Sequence, residues 1–155
     1  MVTTDPYRVI YWDASAILSF LFQDRHSDSA RTLAQIRGFH LVSTLAYIET
    51  CAVIARIGRE GILADVLIQA AFEELQGGPW RHLTFSPDLG VARSLSTKWP
   101  LRGADLWHLA TAKSLQDQLP ELVLLTFDTR LGEAAKGEGL FNEDKQEGYN
   151  TNPLS

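Results

Sequence analysis

The first apolar run of the chain, Val9-Ile10-Tyr11-Trp12, leads directly into Asp13. Four β-branched or aromatic residues in a row are too few for a helical pattern and read as a buried strand. Ala14 to Phe22 then reads as a helix. A strand with no polar face needs cover on both sides, which helices packed on a parallel sheet supply. A second such run, Leu122 to Phe127 (LVLLTF), leads into Asp128 and another helix. The expected class is therefore α/β. Ligands of open α/β sheets bind outside the carboxyl ends of strands. Asp13 and Asp128 each stand at such an end, and each also reads as the N-cap of the helix that follows.

Between these two strands the pattern alternates. Helices are expected over Ser27 to Arg37, Thr44 to Arg59 and Ile62 to Leu75, with Gly38, Gly61 and Gly77-Gly78-Pro79 as stops. Strands are expected over His40 to Ser43 and Trp80 to Phe85. Ser86 reads as an N-cap with Pro87 in the first turn of the next helix. Gly103 to Gln118 and Thr129 to Lys136 complete the helices. At 155 residues the chain suits one domain. We expect that domain to span residues 1–141, with a polar, loose tail over 142–155.

Cys51 is the single cysteine, which rules out a disulfide framework and a cysteine-based zinc site. It is expected to be a buried, inert thiol in a reducing cytoplasm. Neither a signal peptide nor a membrane span is expected. The net charge of −5 argues against sequence-blind nucleic-acid binding through a basic face. It does not argue against a nuclease whose carboxylates hold cations, because bound metal reverses the local sign.

Two further acids lie on helices. Glu49 shares a spacing of i, i+3, i+4 and i+7 with Leu45, Ile48 and Ala52, so it either faces inward with them or, at the edge of the stripe, reaches water. A buried carboxylate must be paired, protonated or bound to metal. Asp105 opens the helix RGADLWHLATA, where a first-turn acid also complements the helix dipole. Convergent carboxylates repel one another unless a cation neutralises them. Hard oxygen ligands select Mg²⁺ or Mn²⁺. Such ions polarise phosphodiesters and activate water.

Asp13 in YWDASAIL, Glu49 in STLAYIETCAVIAR, Asp105 in RGADLWHLATA and Asp128 in LLTFDTRLGEAA resemble, in order and spacing, the four acidic motifs of PIN domains. The similarity is to VapC-type toxins of bacterial toxin–antitoxin pairs and runs from residue 8 to about residue 140. It implies a central parallel sheet of four to five strands flanked by helices. It also implies a Mg²⁺ (or Mn²⁺) pocket of Asp13, Glu49, Asp105 and Asp128, and ribonuclease activity on RNA. A small cognate antitoxin and a homodimer are the implied partners. Ser15 and Thr126 match the family's hydroxyl positions, which hydrogen-bond the acids. The family adds a short apolar strand after the last helix, whereas here Gly139-Leu140-Phe141 leads into NEDKQEG.

Arg102, His108 and Arg130 are candidate RNA contacts. His108 lies one helical turn from Asp105, so orienting an acid or simple packing are open to it as well. Arg130 is equally placed to pair with Asp128. Trp107 suits stacking on a base or packing at an interface. There is no nucleotide-binding glycine motif. Two other functions remain open: an RNA-processing nuclease outside a toxin–antitoxin pair, and a non-catalytic module that docks a partner's basic side chain in the acidic pocket.

Overall fold

A computed structural model describes residues 8–141. The tail expected over residues 142–155 lies outside the described residues. The chain runs β1 (Arg8–Trp12), α1 (Ala14–Leu21), α2 (Ser27–Ala34), β2 (Gly38–Ser43), α3 (Thr44–Arg59) and α4 (Asp65–Gly77). It continues β3 (Trp80–Leu83), α5 (Leu89–Lys98), α6 (Gly103–Gln116), β4 (Leu122–Leu125) and α7 (Thr129–Gly137).

The strands form one parallel sheet in the order β3-β2-β1-β4, with Trp12 opposite Val42 on one side and Leu125 on the other. β1 is central, which explains its unbroken apolar sequence. Its side chains alternate between two cores. Val9 and Tyr11 join Leu122, Leu124, Leu109 and Leu131 on the face covered by α5, α6 and α7. Ile10 and Trp12 join Ile17, Val42, Ile54 and Leu75 on the face covered by α1 to α4. Gly38 opens β2 at φ +153°, and a Cβ there would lie 2.1 Å from the Arg8 carbonyl oxygen. Only glycine lets β2 begin that close to β1.

Beyond shifts of two or three residues at the ends of α2, β2, α4 and β3, four local expectations need correction. β4 stops at Leu125 rather than Phe127, because Thr126 and Phe127 leave the ladder to bond across to Asp13 and Ser15. The cap of α5 is Asp88, whose carboxylate accepts from the Val91 N–H at 2.9 Å, and not Ser86. Cys51 is only partly buried, although burial still pushes its thiol pKa up.

The fourth correction concerns the inner face of α3, which carries Ala46, Thr50 and Ile54. Ile48 and Ala52 of the expected stripe face solvent. Small residues let the helix lie close to its neighbours. The Thr50 hydroxyl is satisfied by the Ala46 carbonyl at 2.8 Å, so it can be buried.

Among the described residues there is no fifth strand. The chain nevertheless returns to β4 where the Leu124 N–H donates to the Leu140 carbonyl at 2.9 Å. No helix among the described residues is long and apolar enough to cross a membrane.

Candidate functional site

The strand order places a switch point between β1 and β4. Connections from β1 build the sheet towards β2 and β3, and the chain then crosses back to lay β4 on the other side. Crevices at such points are where open α/β sheets bind ligands. The residue after β1 is Asp13, and its N–H donates to the Leu125 carbonyl at 3.1 Å. The carboxyl ends of the two core strands are thereby tied together.

Asp13 is 4% exposed. Its Oδ1 accepts from the Ala16 N–H at 2.9 Å, capping α1, and from the Ser15 hydroxyl at 2.7 Å. Its Oδ2 accepts from the Thr126 hydroxyl at 2.5 Å. Ser15 and Thr126 approach to 3.2 Å, but each has its single proton aimed at Asp13. The two hydroxyls also take backbone donors: Phe127 N–H on Ser15 at 2.9 Å and Asp128 N–H on Thr126 at 3.1 Å. One carboxylate therefore organises the β4–α7 turn. Burial holds the Asp13 carboxyl above its ordinary pKa, and the bonds from Thr126, Ala16 and Ser15 oppose this without cancelling it.

Asp128 caps α7 through Oδ1 to the Leu131 N–H at 2.9 Å and is exposed. Among the described residues no ion pair joins it to Arg130, which is also exposed. Asp105 sits half-buried in the first turn of α6. Burial first, then the negative charges of Asp128 and Glu49, raise its pKa; His108 and Arg102 pull the other way. Arg102 itself is exposed, at the N-cap of α6.

Glu49 is not unpaired, as its own helix suggested, nor fully inward. Its side chain is 32% exposed, and Oε1 lies 2.6 Å from His108 Nε2. The partner comes from α6, out of reach of any local spacing rule. His108 is 1% exposed, and its Nδ1 lies 2.7 Å from the Tyr11 hydroxyl. Both ring nitrogens of His108 are thus engaged within the fold, one of them on Glu49. Trp107 packs edge-on against the His108 ring, half-buried.

Tyr11 was not singled out from sequence. Its alternation in β1 marks it as buried, and a buried phenol needs a partner, which was the available signal. Burial pushes its pKa up, and the charges of Asp13 and Glu49 add to that.

Asp105 thus feels the charges of Asp128 and Glu49, while Asp13 is held by Ser15, Ala16 and Thr126. Among the described residues, however, no group of three or more His, Cys, Asp or Glu side chains is arranged to hold a metal ion. The chemistry of the donors fits a hard divalent cation. A carboxylate offers about four lone-pair directions, and three of Asp13's are taken by protein donors, leaving one on Oδ2. Asp105 carries like-charge pressure that a cation would relieve. A closed protein shell is not required, since Mg²⁺ typically keeps several waters and uses only one or two carboxylates.

A family model described as PIN domain matches residues 10–137. Among solved structures, the fold is similar to that of PAE2754 from Pyrobaculum aerophilum. The TM-score is 0.60 at 18% identity, over 84% of this chain and 81% of that one. It is also similar to VapC20 of Mycobacterium tuberculosis, described as a toxin that cleaves the sarcin–ricin loop. There the TM-score is 0.57 at 18% identity, over 81% of this chain and 94% of that one. Likenesses at this identity show the fold alone. A search of curated proteins finds no match.

Proposed function

The chain belongs to the PIN domain family, and on that premise we propose that it is a divalent-cation-dependent endoribonuclease, the toxin of a toxin–antitoxin pair. The observation that carries this reading is the coupling of Asp105 to Asp128 and Glu49, beside an Asp13 sealed by three donors. A set of mutually repelling carboxylates at a switch point is costly unless a cation joins it.

In this reading Asp13, Asp105 and Asp128 hold Mg²⁺ or Mn²⁺. Glu49 contributes through water, because one of its oxygens is committed to His108. When bound, the ion neutralises phosphate charge and lowers the pKa of water. Ser15 and Thr126 keep Asp13 in one orientation. Exposed Arg102 and Arg130 flank the acids and take backbone phosphates. The likeness to VapC20, a toxin by its description, supports a toxin role. A small antitoxin partner, a homodimer and a cytoplasmic location belong to the same proposal.

The test is cleavage of single-stranded RNA with Mn²⁺ and with chelator, run beside Asp13→Asn. Metal-dependent cutting lost in the variant supports the proposal. Equal rates in chelator and Mn²⁺, or an Asp13→Asn protein that cuts like its parent, overturns it.

A further inference from the structure

A groove of about 360 Å³ adjoins the acids on the outer side of β4. Thr126, Phe127 and Asp128 line it on one side, and α7 lines it on the other through Gly132 and Ala135. Its volume is at the small end of ligand pockets, which run roughly 300–1,000 Å³. The lining is largely apolar, and its most distinctive part is an aromatic pair. The His26 and Phe127 rings stack with centroids 4.4 Å apart and planes 2° from parallel. Phe127 is pinned by its N–H bond to Ser15, the same hydroxyl that donates to Asp13. The aromatic wall and Asp13 therefore share one hydroxyl.

We infer that this groove is a nucleobase subsite: it receives the base of a nucleotide next to the scissile phosphate, against the Phe127–His26 stack. The inference rests on the ribonuclease reading above. A largely apolar groove with an aromatic wall suits a π-face, and stacking tolerates any base. Its continuity with Asp128 puts it within one nucleotide of the acids. Cations stand nearby to guide the backbone. The Arg25 guanidinium is held by its Nε on His26 Nε2 at 3.1 Å, and Arg130 is exposed on the first turn of α7. An apolar side chain of a protein partner is the competing occupant, but it has no use for the exposed Arg25 and Arg130 that neighbour the lining residues His26 and Thr129 in sequence. This assigns part of the substrate's recognition to β4 and α7 rather than to the acids.

Phe127 also packs into the core, so truncating it tests folding as much as binding. Gly132 offers a cleaner route. A Cβ built there meets only the Thr126 methyl, at 3.8 Å, an ordinary contact. Gly132→Leu therefore plugs the groove while improving helix propensity. The experiment measures steady-state cleavage of single-stranded RNA and of oligonucleotides carrying one abasic position at each place around the cut. Thermal melting and Mn²⁺ binding of both proteins are recorded alongside.

The expected result has three parts. Wild type shows KM raised roughly 10- to 100-fold by an abasic residue at one position. Gly132→Leu shows the same rise on intact RNA and no further loss on that abasic substrate. Its melting temperature and Mn²⁺ binding match or exceed wild type. Unchanged KM in a folded Gly132→Leu overturns the subsite and leaves the ribonuclease reading standing, as does indifference of wild type to every abasic position. Loss of binding to a protein partner with RNA kinetics intact gives the groove to that partner and also overturns it. Failure of wild type to cut any RNA removes the ribonuclease reading first.

Discussion

Asp13 and Asp128 are built to the same local plan and end in opposite environments. Each follows a core strand, and each caps the next helix by accepting from the N–H three residues on. Asp13 is sealed, with donors on both oxygens. Asp128 is exposed and takes a single backbone bond on Oδ1. The difference comes from position in the sheet. β1 is central and its end is roofed by the β4–α7 turn, whereas β4 is the last strand among the described residues. The same three-residue grammar thus gives a preorganised carboxylate in one place and an adaptable one in the other. In the proposed site Asp13 would set the geometry and Asp128 would form the rim.

This contrast makes predictions of decreasing size. Asp13→Asn should lower metal-dependent RNA cleavage by about 10³-fold or more, the scale of losing a group that acts on developing charge. Asp128→Asn should cost roughly 10- to 100-fold, the scale of a supporting partner. Equal losses measured side by side would erase the distinction. Stability should run the other way. The side-chain amide introduced by Asp13→Asn can still accept from Ser15 and Ala16 through its oxygen and donate to Thr126, while shedding a buried charge. The metal-free Asp13→Asn protein should therefore melt above wild type at neutral pH. Asparagine caps as well as aspartate, so Asp128→Asn should stay within about 0.5 kcal/mol.

Thr126→Val removes the donor to Asp13 Oδ2 and the acceptor for the Asp128 N–H. Two groups lose partners at once, so denaturant unfolding should show about 1–3 kcal/mol of destabilisation. Cleavage should fall roughly 10- to 100-fold. A variant with wild-type activity would mean that Asp13 does not need this hydroxyl.

The pH dependence follows from raised carboxyls. The pKa values of Asp13 and Asp105 are higher in the fold than in the unfolded chain. Their contribution to stability is full below the unfolded value, about 4, and is lost as pH rises through the folded values. Asp24 and Glu138 oppose this trend. Burial raises each, but hydrogen bonds outweigh it and both carboxyls end up lowered. The difference between wild type and Asp13→Asn isolates the Asp13 part. Melting curves of the metal-free proteins should diverge as pH climbs from about 4, and parallel curves would contradict the assignment.

Smallest of all is an ion pair remote from the acids. Lys98 lies 2.6 Å from Glu138, but its side chain is 58% exposed. Lys98→Ala should cost under about 1 kcal/mol in chemical denaturation and leave cleavage unchanged.

The sequence carried the elements whose signals are local. β1 and β4 were legible from their apolar runs, and both caps from an aspartate placed before a helix. Glu49 was legible as unusual but for an incorrect reason. The stripe of Leu45, Ile48 and Ala52 is not the buried one; α3 buries Ala46 and Thr50, whose small size permits close approach, and Ile54. His108 pairs with Glu49 across 59 residues, and Thr126 with Asp13 across 113. Such contacts depend on which strands become neighbours, and local spacing does not encode that. The stack of His26 on Phe127 was invisible for the same reason.

In the proposed function the acids at the ends of β1 and β4 and on α6 act as one cation-binding unit. Its most direct measurement is calorimetric titration of Mn²⁺ into wild type, Asp13→Asn, Asp105→Asn and Asp128→Asn at neutral pH. Saturable binding to wild type is expected, abolished by Asp13→Asn and Asp105→Asn and weakened by Asp128→Asn. Binding that survives intact in either of the first two variants would contradict it.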